Sequence, residues 1–357
     1  MTASSPVLIM AGGTGGHIFP GLAVADCLRA QGVPVVWLGA AGGMETKVVP
    51  AHQIELHTVV VGGLRGKGFK TRLLAPWMLL RSLLASLAVL RKVKPRSVLS
   101  MGGYVAGPGG LAAWLLRRPL LVHEQNRVVG FTNRRLAGFA KRVLAGFADA
   151  LPQAEWVGNP VRTTIASLPA PAQRMAARTG KSRLLVLGGS LGARALNLAV
   201  PQALAQLKPE QRPDVLHQSG NRGLDEAREA YAQAGVEAQV VPFIDDMAAS
   251  YGWADLAVCR AGALTLAELT AAGLGAVLVP FPHAVDDHQT RNAEVLVAAG
   301  AAVVIQESDL NVQVLAQQLG TLLNTPAQLV GMATAARTLA KPDAAEVIAR
   351  ACLEVAA

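Results

Sequence analysis

The sequence predicts an α/β chain of two similarly built domains that face each other across a cleft, and three observations carry this. Residues 8–21, LIMAGGTGGHIFPG, read as a strand, a glycine loop and the start of a helix. Residues 183–197, RLLVLGGSLGARALN, repeat that order in the second half. Around both, apolar runs alternate with helical stretches, as parallel α/β layers require. With 357 residues and 52% hydrophobic content, the chain is long enough for two ordinary cores.

Taken in order, the first apolar run stops in Gly12-Gly13-Thr14-Gly15-Gly16. Such a turn needs positive φ and close backbone approach, which glycine permits. The helix that follows is expected to take Pro20 in its first turn, to share a face among Leu22, Ala23, Cys27 and Leu28, and to end at Gln31-Gly32. Val35-Val36-Trp37-Leu38 is the next strand. A loop of this kind aims bare N–H groups and a helix N-terminus at whatever sits above the sheet, which favours an anion such as a phosphate. The alternation runs to VGNPVR at 157–162, followed by a segment rich in Pro, Ala and Thr up to Lys181. Domains are therefore expected at 1–162 and 163–340, with 341–357 a C-terminal helical segment, Ala344 to Val355, free to pack back on the N-terminal domain. In the second domain, Gly188-Gly189-Ser190-Leu191-Gly192-Ala193 lies over Gly12-Gly13-Thr14-Gly15-Gly16-His17 position by position.

Composition and motifs exclude several classes. Cys27, Cys259 and Cys352 are far apart and odd in number, so neither a disulfide framework nor a zinc site is indicated, and a reducing cytosol fits. No signal peptide is read at the start. The strongest span candidate, Leu73 to Leu90, carries Pro76 and Arg81, and a central arginine costs about 2.5–3.5 kcal/mol on insertion. Charge is uneven: no Asp or Glu lies between Glu55 and Glu124, whereas Arg65, Lys67, Lys70, Arg72, Arg81, Arg91, Lys92, Lys94, Arg96, Arg117 and Arg118 all do. That cationic half suits anionic lipid or a phosphorylated substrate, and at 4% aromatics the chain has few stacking platforms for nucleic acid. A dinucleotide fingerprint begun at Gly13 puts Ile18 at its last glycine, and GGLRGKGFK at 62–70 lacks the hydroxyl of a P-loop. No D-x-D occurs, and Asp286-Asp287-His288 is read as a solvated loop rather than a metal site.

Longer motifs are more specific. MGGYVAGPGG at 101–110, VHEQNRVVGFTN at 122–133, FIDDM at 243–247 and DLAVCRAGALTLAELTAAGLGAVLVPFPHAVDDHQTRNA at 255–293 join both glycine loops, residues 62–68 and VGNPVR in one order. Together they resemble the MurG family of bacterial cell-wall glycosyltransferases across nearly the whole chain. The resemblance implies the glycosyltransferase type B fold of two Rossmann-like domains and an inverting hexosyltransferase that needs no metal or other cofactor. It implies transfer of N-acetylglucosamine from UDP-N-acetylglucosamine to a lipid-linked muramyl-pentapeptide, at the cytoplasmic face of an anionic membrane.

The same resemblance assigns Thr14, Gly15, Gly16, Asn126, Arg162, Ser190, Ile244, Ala263, Leu264, Thr265, Leu266, Ala267, Glu268 and Gln289 to the donor site. Ile244 would receive uracil through its backbone, the helix opening near Ala263 would face the diphosphate, and Glu268 would accept from ribose hydroxyls. The plain alternative for Glu268 is a capping box, Thr265-Leu266-Ala267-Glu268. Leu191 and His288 depart from the family pattern, in which both positions tend to be glutamine, and an extra residue stands just before His288. For catalysis, His17 at the start of the first helix is the candidate base, because a neutral imidazole accepts a proton near neutral pH. Its alternative is a helix-cap or phosphate-contacting role. Glu124 is the second candidate, with a structural salt bridge as its plainer role. Outside this reading stand a related enzyme such as a UDP-N-acetylglucosamine 2-epimerase or glycolipid glycosyltransferase, and a non-catalytic membrane-binding protein.

Overall fold

The computed structural model describes residues 5–61, 69–176, 178–189, 192–284 and 287–356, with only the backbone of 69–75. The chain divides into two compact units, Met1–Val161 with Lys341–Ala357, and Arg162–Ala340. In the first, strands β1 (Val7–Ala11), β2 (Val35–Ala40), β3 (Glu55–Val59), β4 (Ser97–Gly102), β5 (Leu120–Glu124), β6 (Arg142–Ala145) and β7 (Glu155–Trp156) form one sheet in the order β3-β2-β1-β4-β5-β6-β7. Every pairing is parallel. Helices α1 (Gly15–Ala30), α2 (Glu45–Ala51), α3 (Phe69–Val93), α4 (Ala106–Leu115) and α5 (Phe131–Leu136) connect them. Covered on both faces, β1 and β4 are buried at every residue, and β1 accordingly reads as an unbroken apolar run.

Order reverses between β1 and β4, so the loops leaving these two strands flank the sheet's topological switch point, where α/β sheets place ligands. Two glycines let the loops meet there. Gly13 turns at φ +91°, and at Gly103, φ +86°, a Cβ would fall 2.4 Å from the Gly12 carbonyl oxygen. Helix α1 begins at Gly15, earlier than expected, so Pro20 sits in its second turn and leaves the Gly16 carbonyl without an α-helical donor.

The second unit opens with two short helices, α6 (Thr163–Ala166) and α7 (Pro171–Ala176), so the Pro- and Ala-rich segment is folded. Arg174 donates from it to the carbonyls of Ala272 and Gly273, and Arg337 donates to those of Ala166 and Leu168. Strands β8 (Arg183–Leu187), β9 (Asp214–Gln218), β10 (Gln239–Val241), β11 (Leu256–Cys259), β12 (Ala276–Leu278) and β13 (Ala302–Val304) follow, in the order β10-β9-β8-β11-β12-β13 and again all parallel. They alternate with α8 (Arg194–Ala205), α9 (Leu224–Ala234), α10 (Met247–Trp253), α11 (Ala263–Ala272), α12 (His288–Ala298), α13 (Val312–Leu323) and α14 (Pro326–Thr338). The switch point here lies between β8 and β11.

The two glycine loops do not match position by position. Gly189 has φ +74° and Gly192 φ +80°, Gly192 N donates to the Gly189 carbonyl, and α8 starts only at Arg194. A Cβ on Gly192 would fall 2.5 Å from the Ser219 carbonyl, so this loop is pressed against the exit of β9. The first loop enters its helix directly. The last helix, α15 (Ala344–Glu354), belongs to the first unit: Ile348, Ala349, Ala351 and Cys352 are buried in the cluster that holds Ile18, Leu22 and Leu28 of α1. Ser97 Oγ donates to the Cys352 carbonyl at 2.7 Å, and Arg142 pairs with Glu354 at 2.7 Å. Among the described residues no helix is long and apolar enough to cross a membrane.

Candidate active site

In the second unit, α11 opens directly above its switch point. Gly262 occupies the N-cap with extended backbone and supplies no side-chain cap, so the first N–H groups of the helix have only what approaches them from outside. Ala263 and Leu266 are buried, while Leu264, Thr265 and Ala267 are half-buried. The strand exit is held from α12: Gln289 Oε1 accepts from Ala261 N at 3.2 Å and Phe281 N at 2.9 Å. Gln289 thus shapes the loop before α11, and any ligand contact falls to its Nε2 amide as donor. Asp287 enters α12 in a left-handed conformation, φ +52°, where the sequence carries its extra residue, and accepts from Thr290 Oγ1 at 2.7 Å. Asp286 of the expected acidic loop lies outside the described residues.

Glu268 does not cap. With the N-cap at Gly262, the Thr265–Glu268 spacing falls inside α11, too late for a capping box. Its carboxylate instead takes Arg162 Nη2 at 3.2 Å on Oε1 and the Tyr251 hydroxyl at 2.9 Å on Oε2. Burial raises its pKa, and Arg162 and Tyr251 oppose that shift by favouring the anion. Arg162, which leads into α6, is half exposed. Ile244 is buried on the loop between β10 and α10, beside Asp246, which caps α10 by accepting from Ala249 N at 2.9 Å. Ser190, and the departure at Leu191, lie outside the described residues.

In the first unit, Thr14 is the N-cap of α1, and its Oγ1 lies 3.3 Å from His17 Nδ1 in the helix's first turn. The half-buried His17 ring lies against Gly102, where a Cβ would come within 3.0 Å of Nε2. Gly15 and Gly16 form the opening of the helix. The loop's N–H groups are not all bare, because Gly13 N donates at 3.3 Å to Glu45, a fully buried carboxylate whose other oxygen accepts from Ala40 N at 2.8 Å. Gly12, Gly39 and Gly43 crowd the Glu45 side chain so closely that a Cβ on any of them would strike it.

Glu124, at the end of β5, forms no salt bridge among the described residues. Its oxygens accept from Asn126 N at 3.0 Å, Gly130 N at 3.2 Å and Asn133 Nδ2 at 3.1 Å, with Asn126 Nδ2 at 3.4 Å. It is buried and shapes the 126–130 loop, which favours a positioning role over proton transfer. Asn133 is also held by Ser100 Oγ, at 3.1 Å. Sequence reasoning missed Glu45, Asn133 and Tyr251. The Gly42-Gly43 pair ahead of Glu45 was a usable signal, since glycines make room for something, whereas Tyr251 carried none.

Two parallel sheets share one strand order, with a seventh strand added to the first, and each has a glycine loop at its switch point, an arrangement suited to a nucleotide-sugar enzyme; comparison with known proteins narrows the class. Residues 7–145 match the glycosyltransferase family 28 N-terminal domain, and residues 183–348 match the family 28 C-terminal domain. The chain belongs to glycosyltransferase family 28 and has its type B fold.

Within that family it falls in the MurG branch. It is 60% identical, over 98% of its length and 99% of the relative's, to the UDP-N-acetylglucosamine--N-acetylmuramyl-(pentapeptide) pyrophosphoryl-undecaprenol N-acetylglucosamine transferase of Alkalilimnicola ehrlichii. The enzyme of the same name from Xanthomonas campestris pv. campestris is 62% identical, over 98% of this chain and 82% of that one. The crystal structure of Acinetobacter baumannii MurG superposes with a TM-score of 0.87 at 41% identity, covering 98% of this chain and all of that one. A UDP-GlcNAc 2-epimerase from Neisseria meningitidis, at 12% identity and a TM-score of 0.66 over 98% of this chain and 100% of that one, shares the fold alone.

Proposed function

We propose that the chain transfers N-acetylglucosamine from UDP-N-acetylglucosamine to a muramyl-pentapeptide carried on a diphosphate-linked lipid, giving the β-linked disaccharide lipid of peptidoglycan synthesis. The supporting observation is near-full-length identity to enzymes named for that reaction, on a chain that keeps an uncapped helix and a ribose-ready carboxylate at its second switch point. The second unit would hold UDP, with its diphosphate at the α11 N-terminus, uracil at Ile244 and ribose at Glu268. Arg162, Ser190 and the Gln289 amide complete these contacts. An oriented helix end contributes only about 0.3–1 kcal/mol to an exposed anion, so the diphosphate needs several such donors.

In the first unit, Thr14, Gly15, Gly16 and Asn126 are proposed to touch the donor sugar, and His17 to take the proton of the acceptor hydroxyl. In the tautomer that donates from Nδ1 to Thr14 Oγ1, 3.3 Å away, Nε2 would be the nitrogen that accepts. The attack passes through an oxocarbenium-like state and inverts the anomeric carbon, while the departing diphosphate gains charge. A base supplies about 10² to 10⁴ in rate, and orientation of the two substrates supplies more, up to about 7–11 kcal/mol.

The lipid acceptor calls for a peripheral membrane face, proposed on α3 at the cytoplasmic surface. Trp77, Leu79, Leu80 and Leu84 are exposed there, beside Arg81, while Ser82, Ser86, Leu87 and Leu90 face inward. The leucines are thus not simply the buried side of a domain helix. Arg65 and Lys67 lie outside the described residues, as do the side chains of Lys70 and Arg72.

The test is to incubate labelled UDP-N-acetylglucosamine with lipid-linked muramyl-pentapeptide in EDTA and to look for labelled disaccharide lipid. Formation of that product is expected. Epimerised UDP-sugar without acceptor, or binding without turnover, would overturn the reading.

A further inference from the structure

We propose that Tyr251 is a positioning residue for the donor's ribose, holding Glu268 so that its carboxylate presents the acceptor directions left over to a pair of vicinal hydroxyls. This rests on the reading that Glu268 takes the ribose. Tyr251 is fully buried on α10, and its hydroxyl donates to Glu268 Oε2 at 2.9 Å. Arg162 donates to the other oxygen at 3.2 Å. An ionised carboxylate offers about four lone-pair directions, so one protein donor on each oxygen leaves one direction on each for a ligand. A cis diol brings two O–H donors at matching spacing.

Tyr251 is suited to this task. Burial and the neighbouring carboxylate hold its phenol well above the usual tyrosine range, so it stays an O–H donor throughout the working pH range. Its ring is fully buried, whereas Arg162 is half exposed. Without the phenol oxygen, Glu268 Oε2 would face an apolar ring and the carboxylate would rotate away from the ligand.

Calorimetric titration of the full chain with UDP and with 2′,3′-dideoxy-UDP tests this. The wild type should prefer UDP. In Tyr251→Phe the Kd for UDP should rise about tenfold, as loss of a charged hydrogen bond predicts, while that for the dideoxy ligand moves less than about twofold. Equal weakening of both ligands would show a merely structural tyrosine and overturn the proposal. Glu268→Gln separates the two layers. If it abolishes the preference and Tyr251→Phe does not, the proposal falls and the ribose reading stands; if it leaves the preference intact, both fall. Should Tyr251→Phe melt below the assay temperature, 3-fluorotyrosine at position 251, a stronger donor of nearly the same size, takes its place. The preference must then shift from the wild-type value, and an unchanged preference would overturn the proposal.

Discussion

Histidines in this chain divide by what their ring nitrogens meet. His17, at the mouth of α1, is half-buried, with Thr14 Oγ1 at Nδ1 and its ring against Gly102. His17→Ala is expected to cut kcat at least about tenfold with little change in donor KM, since a base acts in the transition state; steady-state kinetics of a folded variant checks it. His123 and His217 are fully buried and internally satisfied as neutral rings. His123 donates to the Gly158 carbonyl at 2.9 Å and accepts from Gln125, while His217 accepts from the Tyr231 hydroxyl and donates to Asn197 Oδ1, both at 3.0 Å. Burial lowers each pKa to about 4. An unfolded histidine titrates near 6.5, so between pH 6.5 and 4 the unfolded chain holds a proton that the folded one lacks. Stability is therefore complete above 6.5 and falls as pH drops through that window, by about 3 kcal/mol per histidine at pH 4. Melting from pH 7.5 to 4.5 should show this, and His217→Gln should flatten the acid limb of the second unit alone.

At the scale of elements, α3 carries the boldest expectation. Its outer apolar row, Trp77, Leu80 and Leu84, is exposed, and an apolar row flanked by cations lies on an anionic bilayer without spanning it. Each cation near such a surface adds about 1 kcal/mol, screened by salt. The protein is expected to sediment with anionic vesicles, release as salt rises and ignore zwitterionic ones. Replacing Trp77, Leu80 and Leu84 by Ser, or Arg65, Lys67, Lys70 and Arg72 by Ser, should weaken both sedimentation and lipid-acceptor turnover while UDP affinity holds. The sequence made β1, β8 and their glycine loops legible because doubly covered strands are apolar throughout and the turns demand glycine. It could not show which α3 leucines are outward, because Ser82 and Ser86 fill the inner face by bonding carbonyls at Val60, Met78 and Ser82. Likewise the capping-box alternative for Glu268 rested on a local pattern, whereas the partners the carboxylate holds lie 17 and 106 residues away.

For the molecule as a whole, the two units stand on separate cores, and the first is completed by α15. Ile348→Ala, a fully buried truncation, is expected to cost about 2–5 kcal/mol and to lower the first unit's melting transition by about 5–15 °C, with UDP binding by the second unit unchanged. Two calorimetric transitions, followed with and without UDP, check that. The split core also fixes an order of events on the ribosome. Residues 162–340 leave the exit tunnel as one continuous stretch and can close at once. The sheet that emerged before them must wait for α15, about 10–35 s at ordinary elongation rates, with the apolar floor beneath α1 uncovered. The unit translated first is finished last, and through that interval its apolar floor stays uncovered.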